Sequence, residues 1–77
     1  MTRHIEFSLA ALAAPEKIRL EARKRFAEIA EGLEGIAETS PFWESVRISR
    51  LCLVVRGWSF FYTVQGSTLL VVEVRAK

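Results

Sequence analysis

The sequence predicts an α+β fold: an N-terminal strand, two helices (short then long), and a C-terminal antiparallel meander of three to four strands with the helices on one face. Three observations predict it. Apolar residues recur at helical spacing from Ile18 to Ile36, two Gly-closed connections punctuate a strand-rich final third, and a short alternating segment precedes the helical stretch. A length of 77 residues bounds this to a single domain, 1–77, with a small core. The 51% hydrophobic content is high for that length and points to apolar surface buried by association.

Thr2 to Phe7 predicts the first strand, with Ile5 and Phe7 on one side and His4 and Glu6 on the other. Ser8 suits the N-cap of a short helix over Leu9 to Ala14. Pro15 then fits the first position of the long helix, where its missing N–H is not needed, and Glu16 favours the positive end of the dipole. That helix is expected to run to about Glu31 and to end near Gly32 or Gly35. Ile18, Ala22, Phe26, Ile29, Leu33 and Ile36 fall within an arc of about 80°. Glu21 and Arg25 form an i,i+4 pair in the favourable orientation. The run Arg23-Lys24-Arg25 could hold a phosphate, but Glu21 and Glu28 dilute it, and it reads as a solvated face.

Ala37 to Glu44 reads as a connecting loop, with Ser40-Pro41 as its turn signal and Phe42 and Trp43 as anchors on the core. Val46 to Ser49 is expected to add a strand or lead into the next one. A change of apolar parity near Arg50 argues for a bulge or break there.

The meander consists of Leu51–Val55, Trp58–Val64 and Ser67–Val74, joined by Arg56-Gly57 and Gln65-Gly66. Each Gly stands second in a two-residue connection, where a type I′ turn requires φ > 0. That register sets Val55 against Trp58 and Leu53 against Phe60, then Val64 against Ser67 and Tyr62 against Leu69. One face then carries Leu51, Leu53, Val55, Trp58, Phe60, Tyr62, Val64, Leu69 and Val71, and its aromatics make it the core side. The other carries Cys52, Val54, Phe61, Leu70, Val72 and Val74. A single helical layer covers one face, so this second set is expected to bind a partner.

Composition excludes several chemistries. There is no Asp, which removes a Ser/His/Asp triad, and His4 is the only histidine, so no metal site is expected. No Gly-rich loop opens a helix, and no cofactor or small-molecule site is expected. Cys52, alone and mid-strand, reads as a buried thiol packing like a small hydrophobe. No uncharged run reaches the roughly 20 residues of a spanning helix, and the chain reads as cytoplasmic with no membrane partner. Net charge is +2, and the sheet half is the basic half: residues 39–77 hold five Lys/Arg against two Glu. Arg47, Arg50, Arg56, Arg75 and Lys77 are therefore the candidates for nucleic-acid contact.

The order strand, helical pair, antiparallel sheet resembles the RelE/ParE superfamily of bacterial type II toxins. The resemblance covers nearly the whole chain and is strongest at Leu53-Val54-Val55-Arg56-Gly57-Trp58-Ser59-Phe60-Phe61-Tyr62-Thr63-Val64. The closing Leu69-Leu70-Val71-Val72-Glu73-Val74 and the Ser40-Pro41 after the long helix follow the same layout. It implies a growth-inhibiting toxin neutralised by a cognate antitoxin. In the RelE-like branch the toxin cleaves mRNA on the ribosome with Lys and Arg side chains; in the ParE-like branch the target is DNA gyrase. This sequence departs from the nuclease pattern. Ser59 stands where that branch has arginine, and Cys52 and Val54, or one place away Leu51 and Leu53, stand where it has lysines. Arg56, Arg75 and Lys77 remain as catalytic candidates, the latter two in places similar to the family's C-terminal basic residues. The alternative is a non-catalytic interaction module that dimerises or docks a partner through its apolar sheet face.

Overall fold

Local sequence chemistry builds seven segments, and a computed structural model describes residues 4–37, 39–48 and 51–76, with residues 47 and 48 by backbone alone. Strand β1 is His4–Phe7, followed by one 3-10 turn over Ala10–Ala13. Helix α1 is Glu16–Glu34 and helix α2 is Phe42–Ile48. Strands β2 (Leu51–Val55), β3 (Trp58–Gln65) and β4 (Thr68–Ala76) complete a four-stranded sheet in the order β1-β4-β3-β2. The chain is α+β, as expected. The last three strands are an antiparallel meander, and β1 joins it parallel to β4. No helix among the described residues is long and apolar enough to cross a membrane.

The expected helical stripe is the one that packs. Ala22, Phe26, Ala30 and Leu33 are buried, with Ile18, Ile29 and Ile36 against the same core. Phe26 meets Phe7, Phe60 and Tyr62 edge-on at ring separations of 6.1, 6.2 and 5.1 Å. Such edge-to-face pairs add about 0.5–1.5 kcal/mol each beyond area burial. The helix passes Glu31 and runs on to Glu34, with Gly35 as its C-cap, and Pro15, expected as the first helical residue, is the N-cap one place before it.

The short helix is a single 3-10 turn. Its Ala11 N–H donates to Ser8 Oγ at 3.2 Å, so Ser8 does serve the helix start. The same hydroxyl donates to the Val72 carbonyl at 2.6 Å, while Ser8 N–H reaches the Val71 carbonyl at 2.9 Å. The N-terminal segment is thus tied to the middle of β4.

Residues 42–48 are helical, which corrects the loop expected to Glu44 and the strand expected from Val46 to Ser49. Ser-Pro is a helix-start signal as well as a turn signal. Ser40 Oγ accepts from Phe42 N–H at 3.3 Å, and Pro41 has no donor to leave unpaired. Trp43 and Val46, three residues apart, then share the face that packs on the core. Trp43 Nε1–H also donates to the Ala37 carbonyl at 2.9 Å. The bulge expected near Arg50 lies outside the described residues.

The first hairpin has the expected register, Val55 against Trp58 and Leu53 against Phe60. Arg56 at φ 48° and Gly57 at φ 81° have the two positive values of a type I′ turn. The second hairpin is different. Its loop is Gly66-Ser67, only Gly66 has positive φ (58°), and Val64 faces Leu69. That is the sign pattern of a type II′ turn, with Gly first. The register is displaced by two residues from expectation, which keeps Leu69 and Val71 on the core face. A bulge then intervenes: Tyr62 faces Val71, but Phe61 faces Glu73, so Val72 is the extra residue.

Candidate functional site

The bulge decides what the second face looks like. Beyond it, Val74 faces Phe60 and packs against the core, which corrects its assignment to the partner-binding set. Regular alternation from Leu69 would have driven Glu73 and Arg75 into the core, and a buried unpaired charge is far costlier than one unpaired strand residue. The five other expected partner-binding residues, Cys52, Val54, Phe61, Leu70 and Val72, remain on the face away from α1. Val54 is 48% exposed and Val72 40%. Cys52 is exposed, correcting its reading as a buried thiol.

Register lays this face out as rows. Cys52, Phe61 and Glu73 stand side by side, as do Val54, Ser59 and Arg75. Thr63, Leu70 and Glu6 form a third row, and Gln65, Thr68 and His4 a fourth. The β2–β3 side is therefore uncharged, and the β4–β1 side carries the charge. Arg75, 3.7 Å from Glu73 on the same strand, joins the two sides through its guanidinium, which lies 5.7 Å from the Phe61 ring centre. His4 and Glu6 pair at 3.6 Å at the far edge.

The basic candidates do not converge. Arg56 Nε donates to Glu21 Oε2 at 2.9 Å, which draws it toward α1. Glu21 thereby pairs with the turn and not with Arg25, as helical spacing had suggested. Arg75 lies on the opposite side of the sheet, beside Phe61. Each has a carboxylate for a neighbour, and neither shares a groove with the other. Arg47 lies on α2, described by backbone alone, and Arg50 and Lys77 lie outside the described residues. Arg23, from the basic run, covers the Phe7 ring at 5.0 Å. Among the described residues no group of three His, Cys or Glu side chains could hold a metal ion.

One cavity escaped the sequence reading. Ile29, Leu33, Phe42, Ser45, Val46, Leu51, Tyr62 and Val64 line an apolar cleft of about 190 Å³ between α1, α2 and the sheet. It exists because residues 42–48 are helical, so the loop expectation hid it. Burial there raises the Tyr62 phenol above its ordinary value near 10, with the Cys52 thiol a lesser contribution. A phenol held neutral in an apolar cleft serves packing better than proton transfer. Compared with known proteins, the chain matches no family model, no curated protein and no solved structure.

Proposed function

We propose that this chain works by binding another protein through the uncovered face of its sheet, as a non-catalytic interaction module. One observation carries the reading: Cys52, Val54, Phe61, Leu70 and Val72 share a face that no described helix covers, with charge confined to its β4–β1 side. An exposed group of apolar side chains with charge along one side suits a protein-binding surface. Cleavage of a phosphodiester needs cations aimed together at one reacting phosphate. Arg56 and Arg75, on opposite sides of the sheet, do not supply that.

A second reading is a toxin of the RelE/ParE type, neutralised by a cognate antitoxin and acting on ribosome-bound mRNA or DNA gyrase. It rests on the resemblance in sequence and on a strand before the long helix and an antiparallel meander after it, although α2, which the resemblance did not lead one to expect, stands between them. If it holds, the gyrase-directed branch suits the scattered cations better.

In-cell cross-linking of wild type and Phe61→Lys tests the interaction reading. The wild type is expected to give a discrete protein complex and Phe61→Lys to lose it; no complex from the wild type overturns the reading. Induced expression in bacteria separates the second reading. Growth arrest abolished by Arg75→Ala, with new mRNA 5′ ends, replaces the interaction module with a nuclease.

A further inference from the structure

The sheet has two outer edges, and they are built differently. The outer edge of β1 is four residues long and carries His4 and Glu6, both largely exposed and paired with each other. Charge and shortness are the usual protections of an edge against adding a strand. The outer edge of β2 is Leu51-Cys52-Leu53-Val54-Val55, five residues with no charge and no proline.

The backbone of β2 has a definite pattern. Val55 and Trp58 flank a two-residue loop, so they are the first hydrogen-bonded pair of that hairpin. Alternation then turns the N–H and C=O groups of Leu51, Leu53 and Val55 toward β3. Those of Cys52 and Val54 point away from it, to the open side. The side chains of the same two residues are exposed. Four backbone groups and two small apolar side chains thus form a ready template for another strand.

We infer that β2 pairs antiparallel with β2 of a second copy of this chain about a two-fold axis, joining the two sheets into one of eight strands. The inference goes beyond the protein-binding reading above: it concerns the edge at β2 and leaves Phe61, Leu70 and Val72 on β3 and β4 to that reading's partner. Centred on Leu53, the pairing sets Cys52 against Val54 of the second copy, and Val54 against its Cys52. All five residues overlap, and the outward groups of both copies find partners. Centring on Cys52 or on Val54 leaves only three strand residues overlapped. A second copy fits because, over the five paired residues, the two-fold matches an uncharged strand to itself. Arg56, just beyond the end, already has its charge met by Glu21 at 2.9 Å. A foreign strand bearing charge would find no counter-charge on β2.

The register gives the test. Light scattering of the full chain is expected to report about twice the 8.7 kDa of one copy. Val54→Lys and Cys52→Glu should each halve that mass, with circular dichroism unchanged because both side chains are exposed. The double variant should restore the dimer, since positions 52 and 54 meet across the axis. Val54→Cys should cross-link on mild oxidation, because a hydrogen-bonded pair holds its Cα atoms about 5.5 Å apart. The wild type should not, because its two Cys52 residues stand diagonally, about 7–8 Å apart. A wild type that stays at one chain's mass at every concentration overturns the inference and leaves the Phe61→Lys experiment to judge protein binding. A dimer that neither splits with Val54→Lys nor cross-links with Val54→Cys also overturns it, by placing the contact elsewhere.

Discussion

Phe60 and Phe61 are adjacent in sequence and belong to different environments. Phe60 is fully buried, edge-on to Phe7 and Phe26 on the side where α1 lies. Phe61, one peptide later, stands on the uncovered face beneath the Arg75 guanidinium. The difference shows that strand alternation sorts side chains between two roles, one holding the fold and one facing outward. The same residue type serves both.

The sharpest way to break the comparison is to truncate both rings. Phe60→Ala should cost about 3–5 kcal/mol, since the lost apolar contact is compounded by a cavity. Phe61→Ala should cost about 1 kcal/mol or less, as at surface positions generally. Urea unfolding reads the difference, and equal losses would mean that the two faces are equally packed. A second pair tests the bulge. Val74→Lys should cost roughly 2–3 kcal/mol by setting a charge against the core, while Val72→Lys should fall within about 0.5 kcal/mol. Interchanged results would place the extra residue elsewhere in β4.

A smaller effect belongs to the link between helix and turn. Glu21→Gln removes the partner of Arg56 and should cost about 0.2–1 kcal/mol, less in high salt, because the arginine is largely exposed. Thermal melts at two salt concentrations measure it. The smallest effect is confined to alkaline solution. Burial raises the Tyr62 phenol above its usual value near 10, so the folded state holds this proton more tightly than the unfolded one. The associated stability is fully present below pH 10 and is lost as pH rises through the folded value. Tyr62→Phe should unfold with a shallower pH dependence above 10 than the wild type.

Much of the core was legible because its signals are redundant. The stripe from Ile18 to Ile36 and the Gly57 turn each state their geometry twice, in spacing and in residue type. The second hairpin was harder to place, because Gln65-Gly66-Ser67 suits Gly as either first or second loop residue, and only the sign of φ decides. Position 74 was misassigned although a clue was present. Unbroken alternation from Leu69 sends Glu73 and Arg75 inward, and that cost should have announced the bulge. Residues 42–48 were misread for a chemical reason: Ser40-Pro41 starts helices as readily as it makes turns. Five of the six apolar residues assigned to the uncovered face do lie there, but its charged side and the Glu21–Arg56 pair depend on tertiary placement that spacing does not encode.

The parallel pairing of β1 with β4 has a kinetic consequence. His4–Phe7 finds its neighbours at Thr68–Val71, across nearly the full length of the chain, whereas the two hairpins close over two-residue loops. Local pairings form first, and this most distant one is slow to close. During synthesis β1 must therefore wait for β4 to emerge. Until then Ile5 and Phe7 remain open to contact with chaperones, or with other nascent copies of themselves.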